Sequence, residues 1–359
     1  MNINLLNILR SPISNEELHL EVFDERIESS VRIIISGLLI DIKAEKVYPI
    51  IDAVPIFFEF GFTHEFINEY SKHLSVIEKK YNLSISRRII NYNYSFSSEW
   101  KDYFKFNLNK TWGWTIEERV EQFFLETQID PQDCRGKIIL DAGCRNGQLT
   151  EKLTEYGATV IGLDFSQSVL FAEENRKLPN VHFLQGDIRS APFSKDTFDI
   201  IISNGVLHHT SNTFKTFKEV SKLVKPNGRF YLWLYKKQDN FFRRNLFIPV
   251  IDFIRFFVSR SPIIIQKYAI YTYAFLSPYI GKLKPHQQNY SFSERIISSH
   301  DFLTCKWRHY HNPVEVASWF HACGFSNATL THWDNPYGFG IIGTKKYLKY
   351  TPGVHYHKS

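Results

Sequence analysis

Residues 138–147, Ile-Ile-Leu-Asp141-Ala-Gly143-Cys144-Arg145-Asn-Gly147, decide the fold. An apolar run ends in an acid, a short turn carries two glycines, and a helix is predicted to begin near Gln148. Glycine lets a backbone turn tightly and come close to a ligand. In open α/β sheets, small molecules bind beyond the carboxyl ends of the strands, where such a turn stands. A dinucleotide-binding turn would read Gly-x-Gly-x-x-Gly. Here an acid closes the strand instead, and Gly143 and Gly147 are four apart.

The pattern repeats downstream. Residues 159–164 read as a second buried strand ending in an acid, Asp164, with Ser166 as N-cap of the next helix. Residues 181–188 read as a third strand and turn, ending in Asp187 and Ile188. Residues 198–204 read as a fourth strand that ends at Asn204, and His208 and His209 follow at the same edge. Lys225-Pro226-Asn227-Gly228 is a turn, and residues 229–235 read as strand five. Short apolar runs separated by helix-length segments are what a parallel sheet requires.

Asp141, Gly143 and Gly147, then Asp164, Asp187 and the His208-His209 pair, in that order, resemble the class I S-adenosylmethionine (SAM)-dependent methyltransferases of the ubiquinone- and menaquinone-biosynthesis kind. The resemblance is strong over residues 119–235. Arg145 departs from it, standing where the middle glycine of the motif is usual. The resemblance implies a Rossmann-like α/β fold with a seven-stranded sheet, SAM as cofactor, and methyl transfer to an oxygen or nitrogen of a small molecule. It implies cofactor contacts from Asp141, Gly143, Cys144, Arg145, Gly147, Phe165 and Asn204. Asp164 would accept from both ribose hydroxyls, Asp187 from the adenine amine, and Ile188 would pack near the ring. Arg145 would point toward solvent or toward the methionine carboxylate. His208 or His209 lies beside the expected methyl and has an intrinsic pKa suited to a general base. A shape or hydrogen-bonding role is equally open. Two other outcomes also stay open: cyclisation of SAM itself with release of methylthioadenosine, and a non-catalytic SAM-binding partner module.

The N-terminal 60 residues carry Leu9-Arg10-Ser11-Pro12 and, at 48–55, Tyr-Pro-Ile-Ile-Asp-Ala-Val-Pro. These resemble the zinc-ribbon-like domain of the tRNA-methyltransferase-activator type. Ser11 stands where a cysteine precedes the proline, and Ile42-Lys43-Ala44-Glu45 replaces a Cys-x-x-Cys knuckle. A structural zinc has no ligands without thiolates, so residues 1–60 are expected to be a metal-free β-rich module held by apolar packing.

Residues 61–118 form a helical and aromatic linker. Residues 66–80 read as one amphipathic helix, and rings at Tyr92, Tyr94, Phe96, Trp100, Tyr103, Phe104, Phe106, Trp112 and Trp114 crowd the approach to the first core strand. In the family this segment folds over the methionine end of SAM, and aromatic faces suit a sulfonium; Trp114 is a substrate-binding candidate. Thr115 and Glu118 form a capping box for the helix that follows.

Residues 236–312 read as a helical insertion after strand five that caps the substrate. Residues 247–260 could lie in a membrane interface, but buried packing is the favoured reading. No uncharged run is long enough to span a bilayer. Arg308 could pair bidentately with an acceptor carboxylate, and His309 and Tyr310 are further catalytic candidates. Residues 313–348 complete the sheet with a helix and an antiparallel hairpin, its strands at 328–333 and 337–344.

Composition fits an α/β enzyme with a large core: 359 residues, 43% hydrophobic and 22% charged, with 31 Phe and 19 Tyr. Four scattered cysteines with no Cys-x-x-Cys exclude a zinc knuckle or disulfide framework and fit a reducing, cytoplasmic setting. The formal charge is +6, but its basic pairs are dispersed, so nucleic acid is not an expected partner. A small-molecule substrate is the expected partner, and the insertion offers a homodimer contact.

Overall fold

The computed structural model describes residues 1–89, 94–106, 110–111, 113–280, 290–331 and 337–346. Tyr92, Trp112 and Trp333 lie outside them.

The N-terminal strands β1 (His19–Glu28), β2 (Val31–Asp41), β3 (Lys46–Ile51) and β4 (Val54–Pro55) form an antiparallel sheet in sequential order. Leu38, Leu39, Ile40 and Asp41 of β2 are all fully buried. Burying a carboxylate among them requires partners. The Ser11 hydroxyl donates to one Asp41 oxygen, and the Ala44 amide donates to the other at 3.0 Å. Ser11 Oγ in turn accepts from the amides of Ile13 and Ser14 at 3.1 and 3.2 Å. Burial opposes the Asp41 charge, yet the Ser11 and Ala44 hydrogen bonds hold its pKa below the ordinary value. The loop around Ser11 is thereby tied to the β2–β3 turn.

The linker helix expected over 66–80 is two helices, α1 (His64–Glu69) and α2 (Ser71–Tyr81). Thr63 caps the first through the Phe66 amide at 3.1 Å. Tyr70 breaks the run at φ −101°, ψ 18°, its ring held 4.9 Å from Phe66 and 5.0 Å from Phe23 of β1. Tertiary ring packing overrides the helical period. Next come α3 (Tyr94–Lys105), a short hairpin of β5 (Lys110–Thr111) and β6 (Trp114–Thr115), and α4 (Ile116–Thr127). The Thr115–Glu118 capping box is present as the sequence predicts.

The core strands are β7 (Ile138–Ala142), β8 (Thr159–Asp164), β9 (Val181–Gln185), β10 (Phe198–Asn204), β11 (Val224–Tyr235), β12 (Phe325–Leu330) and β13 (Gly338–Lys345). Their order is β12-β13-β11-β10-β7-β8-β9, parallel throughout except that β13 runs antiparallel to β11 and β12. This is the seven-stranded class I methyltransferase fold. Order reverses between β7 and β10, so their carboxyl ends flank the crevice where a ligand enters. The helices α5 (Gln148–Thr154), α6 (Ser168–Glu174) and α7 (Thr213–Ser221) follow β7, β8 and β10. Ser166 is not the N-cap of α6, which starts one residue later after Gln167; Ser166 is drawn back to Asp164.

The N-terminal sheet joins the core at its β9 edge. Ile56 bridges Gln185 in parallel, with the Phe57 amide donating to the Gln185 carbonyl at 2.8 Å, and Leu9 bridges Phe193.

After β11 come α8 (Ile248–Val258), α9 (Ile263–Ile280), α10 (Phe292–Leu303) and α11 (Pro313–Ala322). The expected buried packing of the insertion fails for its first two helices. Among the described side chains, only Arg255 of α8 and Ile270 and Ala274 of α9 are buried. These helices lean on α10 with one edge, and most of their apolar side chains face outward.

Candidate cofactor and acceptor site

The glycine turn is a strap over the end of β7. Gly143 has φ +99°, and a Cβ there would drive into the Val206 side chain. Its amide donates to the Leu163 carbonyl at 2.7 Å. Gly147 has φ +72°, and a Cβ there would meet Phe183 at 2.6 Å. Arg145, in place of the usual glycine, also takes the left-handed region at φ +57°. Its amide donates to Asp164 Oδ2 at 2.9 Å, locking the strap to the tip of β8. Asp164 Oδ1 accepts from the Ser166 amide and hydroxyl at 2.8 and 2.6 Å.

The Arg145 side chain does not run to solvent. Nη2 donates to the carbonyls of Asn204 and Gly205 at 2.6 and 3.3 Å, joining the strap to the end of β10. Cys144 turns its thiol into the core against Gly162 and Phe183, so only its backbone borders the crevice. Burial pushes that thiol well above its ordinary pKa.

Asp141 is 5% exposed and accepts from Thr150 Oγ1 at 2.7 Å. Burial raises its pKa to about 6, opposed by that bond and by Arg145 and Arg119. Arg119, on α4, is lowered to about 10 by burial and by the Arg145 charge.

Helix α3 covers the strap. Tyr103 donates to Gln148 Oε1 at 3.1 Å, the Gln167 amide donates to Ser97 Oγ at 3.1 Å, and Trp100 packs edge-on to Tyr103. The segment before the first core strand thus packs over the strap. Glu99 of the same helix is 2% exposed, and burial together with Asp301 holds its carboxyl well above the usual range.

Asp187 is gripped by the Arg189 guanidinium, at 2.5 Å from Nη2 and 3.0 Å from Nε. Ile188 is buried beside it. Phe165 packs against Phe58 at 4.9 Å, at the join with the N-terminal sheet. Trp114 stands apart: its ring is 47% exposed on the β5–β6 hairpin.

Beyond β10, the two adjacent histidines have opposite surroundings. His209 donates from Nδ1 to the Trp307 carbonyl at 2.9 Å, and its Nε2 lies 3.3 Å from Asp301 Oδ1. Burial opposes its charge, but Cys305 and Asp301 raise its pKa to about 10. The Asp301 carboxylate thus favours the protonated ring. Asp301 also accepts from Tyr235 Oη at 2.9 Å. His208 is fully buried, and neither ring nitrogen has a hydrogen-bond partner. Its ring lies 4.0 Å from the Tyr235 ring, and burial, then the His209 charge, push its pKa well down.

Arg308 sits in an aromatic box. Its guanidinium carbon lies 4.3 Å from the Tyr235 ring, 5.3 Å from Phe302 and 5.6 Å from Tyr310. Its Nε and Nη1 are buried without a partner. His309 donates from Nε2 to the Thr210 carbonyl at 3.0 Å, and its amide to the His208 carbonyl at 3.0 Å. Tyr310 stacks toward Tyr235 at 6.0 Å. Among the described residues no cluster of three or more His, Cys, Asp or Glu could hold a metal.

The sequence reading missed Glu99, Arg119, Tyr235, Asp301 and Cys305. Arg119 had a faint signal: it precedes Val120 on the buried face of a capped helix. Asp301 had none, because what makes it matter is a contact to a distant histidine.

Residues 140–232 match the family model described as a methyltransferase domain. With the sheet order and the strap, this match makes the core a methyltransferase domain of the SAM-dependent class. The demethylmenaquinone methyltransferase of Lactococcus lactis subsp. lactis is 37% identical over 106 residues, 27% of this chain and 41% of that protein. The ubiquinone biosynthesis O-methyltransferase of Coxiella burnetii is 32% identical over 111 residues, 30% of this chain and 46% of that protein. The chain spans less than half the length of these curated relatives. A solved SAM-dependent methyltransferase from Mesorhizobium loti is similar at 15% identity and a TM-score of 0.42, over 64% of this chain and all of that one. Neither relative is a cyclase, and the SAM-cyclising outcome finds no support.

Proposed function

We propose that this protein transfers the methyl group of SAM to an oxygen or nitrogen of a small anionic acceptor. The strap supports this reading best: an acid-flanked glycine turn at the point where sheet order reverses, inside the stretch that matches the methyltransferase domain. The surrounding charges fit a zwitterion, with Arg119 and Arg145 for a carboxylate, and Asp141 for an ammonium group. The Asp164 carboxylate keeps acceptor capacity for ribose hydroxyls, and Asp187 and Ile188 would serve the adenine. SAM supplies an electrophilic methyl on a positively charged sulfur.

The chain's own residues would do the rest. Arg308 takes the acceptor's anionic group on its unpaired Nε and Nη1, bidentately where that group is a carboxylate. His208, neutral and unpaired, receives a hydrogen bond from the acceptor's attacking O–H or N–H. His209, protonated against Asp301, fixes that edge, and His309 and Tyr310 shape it. Water is excluded by α3 on one side and by the insertion on the other, which strengthens every charge contact inside.

The test is S-adenosylhomocysteine formation with purified protein, SAM and a panel of acceptors. Demethylmenaquinone and ubiquinone precursors lead the panel because the relatives are named for them, followed by matched anionic and neutral phenols and amines. Arg308→Leu should raise KM for anionic acceptors by about 10-fold or more, with little change for neutral ones, as expected for a lost charged pair. Product formation with no acceptor dependence on Arg308 would remove it from the site. No product with any acceptor, in a protein that binds SAM, would overturn the reading.

A further inference from the structure

Among the described residues, 28 large apolar side chains are exposed, and 16 of them lie between Phe241 and Tyr279. Phe242, Phe253, Phe257, Ile264, Tyr268 and Tyr279 are 73, 66, 56, 62, 71 and 80% exposed. Large rings and aliphatic chains exposed to this degree amount to an apolar surface on the order of 1,000 Å², well beyond the few hundred typical of a soluble monomer.

We infer that the α8–α9 hairpin is a docking surface for an anionic lipid bilayer, lying in the interface and not crossing it. Three observations choose this occupant. First, Ile263, Ile264 and Ile265 are exposed at three successive positions. Successive helical residues point about 100° apart, so a flat protein partner leaves part of this helix start uncovered, whereas fluid headgroups and acyl ends close around a helix start that dips into them. Second, residues 236–280 hold seven Lys or Arg against two acids, and the acids are paired, Asp239 with Lys236 and Asp252 with Arg255, which leaves five cations in excess. Arg244, Arg260 and Lys267 are exposed beside the apolar side chains, with the Arg260 guanidinium 3.9 Å from the centre of the Phe256 ring. A symmetric contact with a second copy would face this basic surface with itself. Anionic headgroups complement it, and cations edging an apolar face are the pattern of interfacial helices. Third, no helix among the described residues is long and apolar enough to cross a membrane. The 18 residues of α9 reach only about 27 Å. The inner side of the hairpin closes on the acceptor end: Tyr273 stacks on Phe302 at 5.0 Å, and Phe302 lies against Arg308.

The test is flotation of the full chain with vesicles of phosphatidylcholine alone, and of phosphatidylcholine mixed with phosphatidylglycerol. The protein should float with the mixed vesicles, much less with the neutral ones, and release as salt rises. The combined variant Phe253→Ser, Phe257→Ser, Ile264→Ser should stay in solution. The combined variant Arg244→Glu, Arg260→Glu, Lys267→Glu should lose at least about 5-fold in binding to the mixed vesicles per cation removed. SAM affinity, measured on every variant, should match that of the starting protein and so shows that each is folded. Three results would overturn the inference: no flotation of the unaltered chain, flotation indifferent to lipid charge, or a dimer in sedimentation that the serine variant dissociates while no vesicle is bound. None of these bears on methyl transfer, which is read separately by S-adenosylhomocysteine.

Discussion

At the strap, polar groups are satisfied by the protein itself. Asp164 accepts three hydrogen bonds, and Arg145 closes on two carbonyls. Under the insertion, His208 and Arg308 keep buried nitrogens with no partner at all. A buried polar group left unmade costs about 1–3 kcal/mol, so the second region stores a demand that the first does not. The cofactor end is therefore rigid and prebuilt, while the acceptor end gains most from what enters it. This division suits an enzyme whose cofactor stays the same and whose specificity must come from the second substrate.

The strap is where this contrast is most easily broken. Gly143→Ala adds a Cβ that meets Val206 at a positive φ, so both backbone strain and overpacking apply. The expected loss is about 4 kcal/mol in urea unfolding, with SAM binding abolished. A stable variant with normal SAM affinity would mean that the strap is not preorganised.

Asp301→Asn tests the other end. It removes the carboxylate from His209 and Tyr235, and should cost about 3 kcal/mol. The pH dependence carries the diagnosis. The folded pKa of His209 is raised to about 10, above an unfolded value of about 6.5. Its stabilisation is therefore complete below about 6.5 and is lost as pH rises through about 10. The unaltered protein should lose stability across that window, and Asp301→Asn should flatten the slope. An unchanged slope would mean that Asp301 does not hold the His209 proton.

Asp164→Ala removes the expected ribose acceptor and one anchor of the strap. SAM binding should weaken by about 2 kcal/mol, roughly 30-fold. Calorimetry showing unchanged affinity in the folded variant would detach Asp164 from the cofactor.

The contrast also marks where the sequence could be read. Strand 198–204 and the Thr115–Glu118 box are local patterns, and both stand as predicted. The order of acids along the strand ends is local too, which is why the class was legible. The protonation of two adjacent histidines was not, because it depends on Asp301 and Cys305, remote in the chain. The insertion misled for a different reason. Apolar composition says that a surface must be covered, but not by what, and most of the apolar side chains of α8 and α9 proved outward-facing. Tyr70 shows the same limit on a small scale: rings from β1 and α1 break a helix that periodicity alone would continue.

The smallest expected effect is at Arg145, where two terms oppose each other. Glycine would relieve a left-handed non-glycine residue, worth about 1–2 kcal/mol. It would also remove the guanidinium that donates to the Asn204 and Gly205 carbonyls, each a charged hydrogen bond but only half-buried. The terms nearly cancel, so Arg145→Gly should shift unfolding stability by about 1 kcal/mol or less. SAM binding separates them. If the guanidinium also serves the SAM carboxylate, affinity falls in low salt, and the fall shrinks as salt screens the pair. Equal affinity of both proteins at low and high salt would confine Arg145 to joining the strap to β10. A gain at both salts would mean that the arginine obstructs the crevice, and that its carbonyl contacts must open before the cofactor enters.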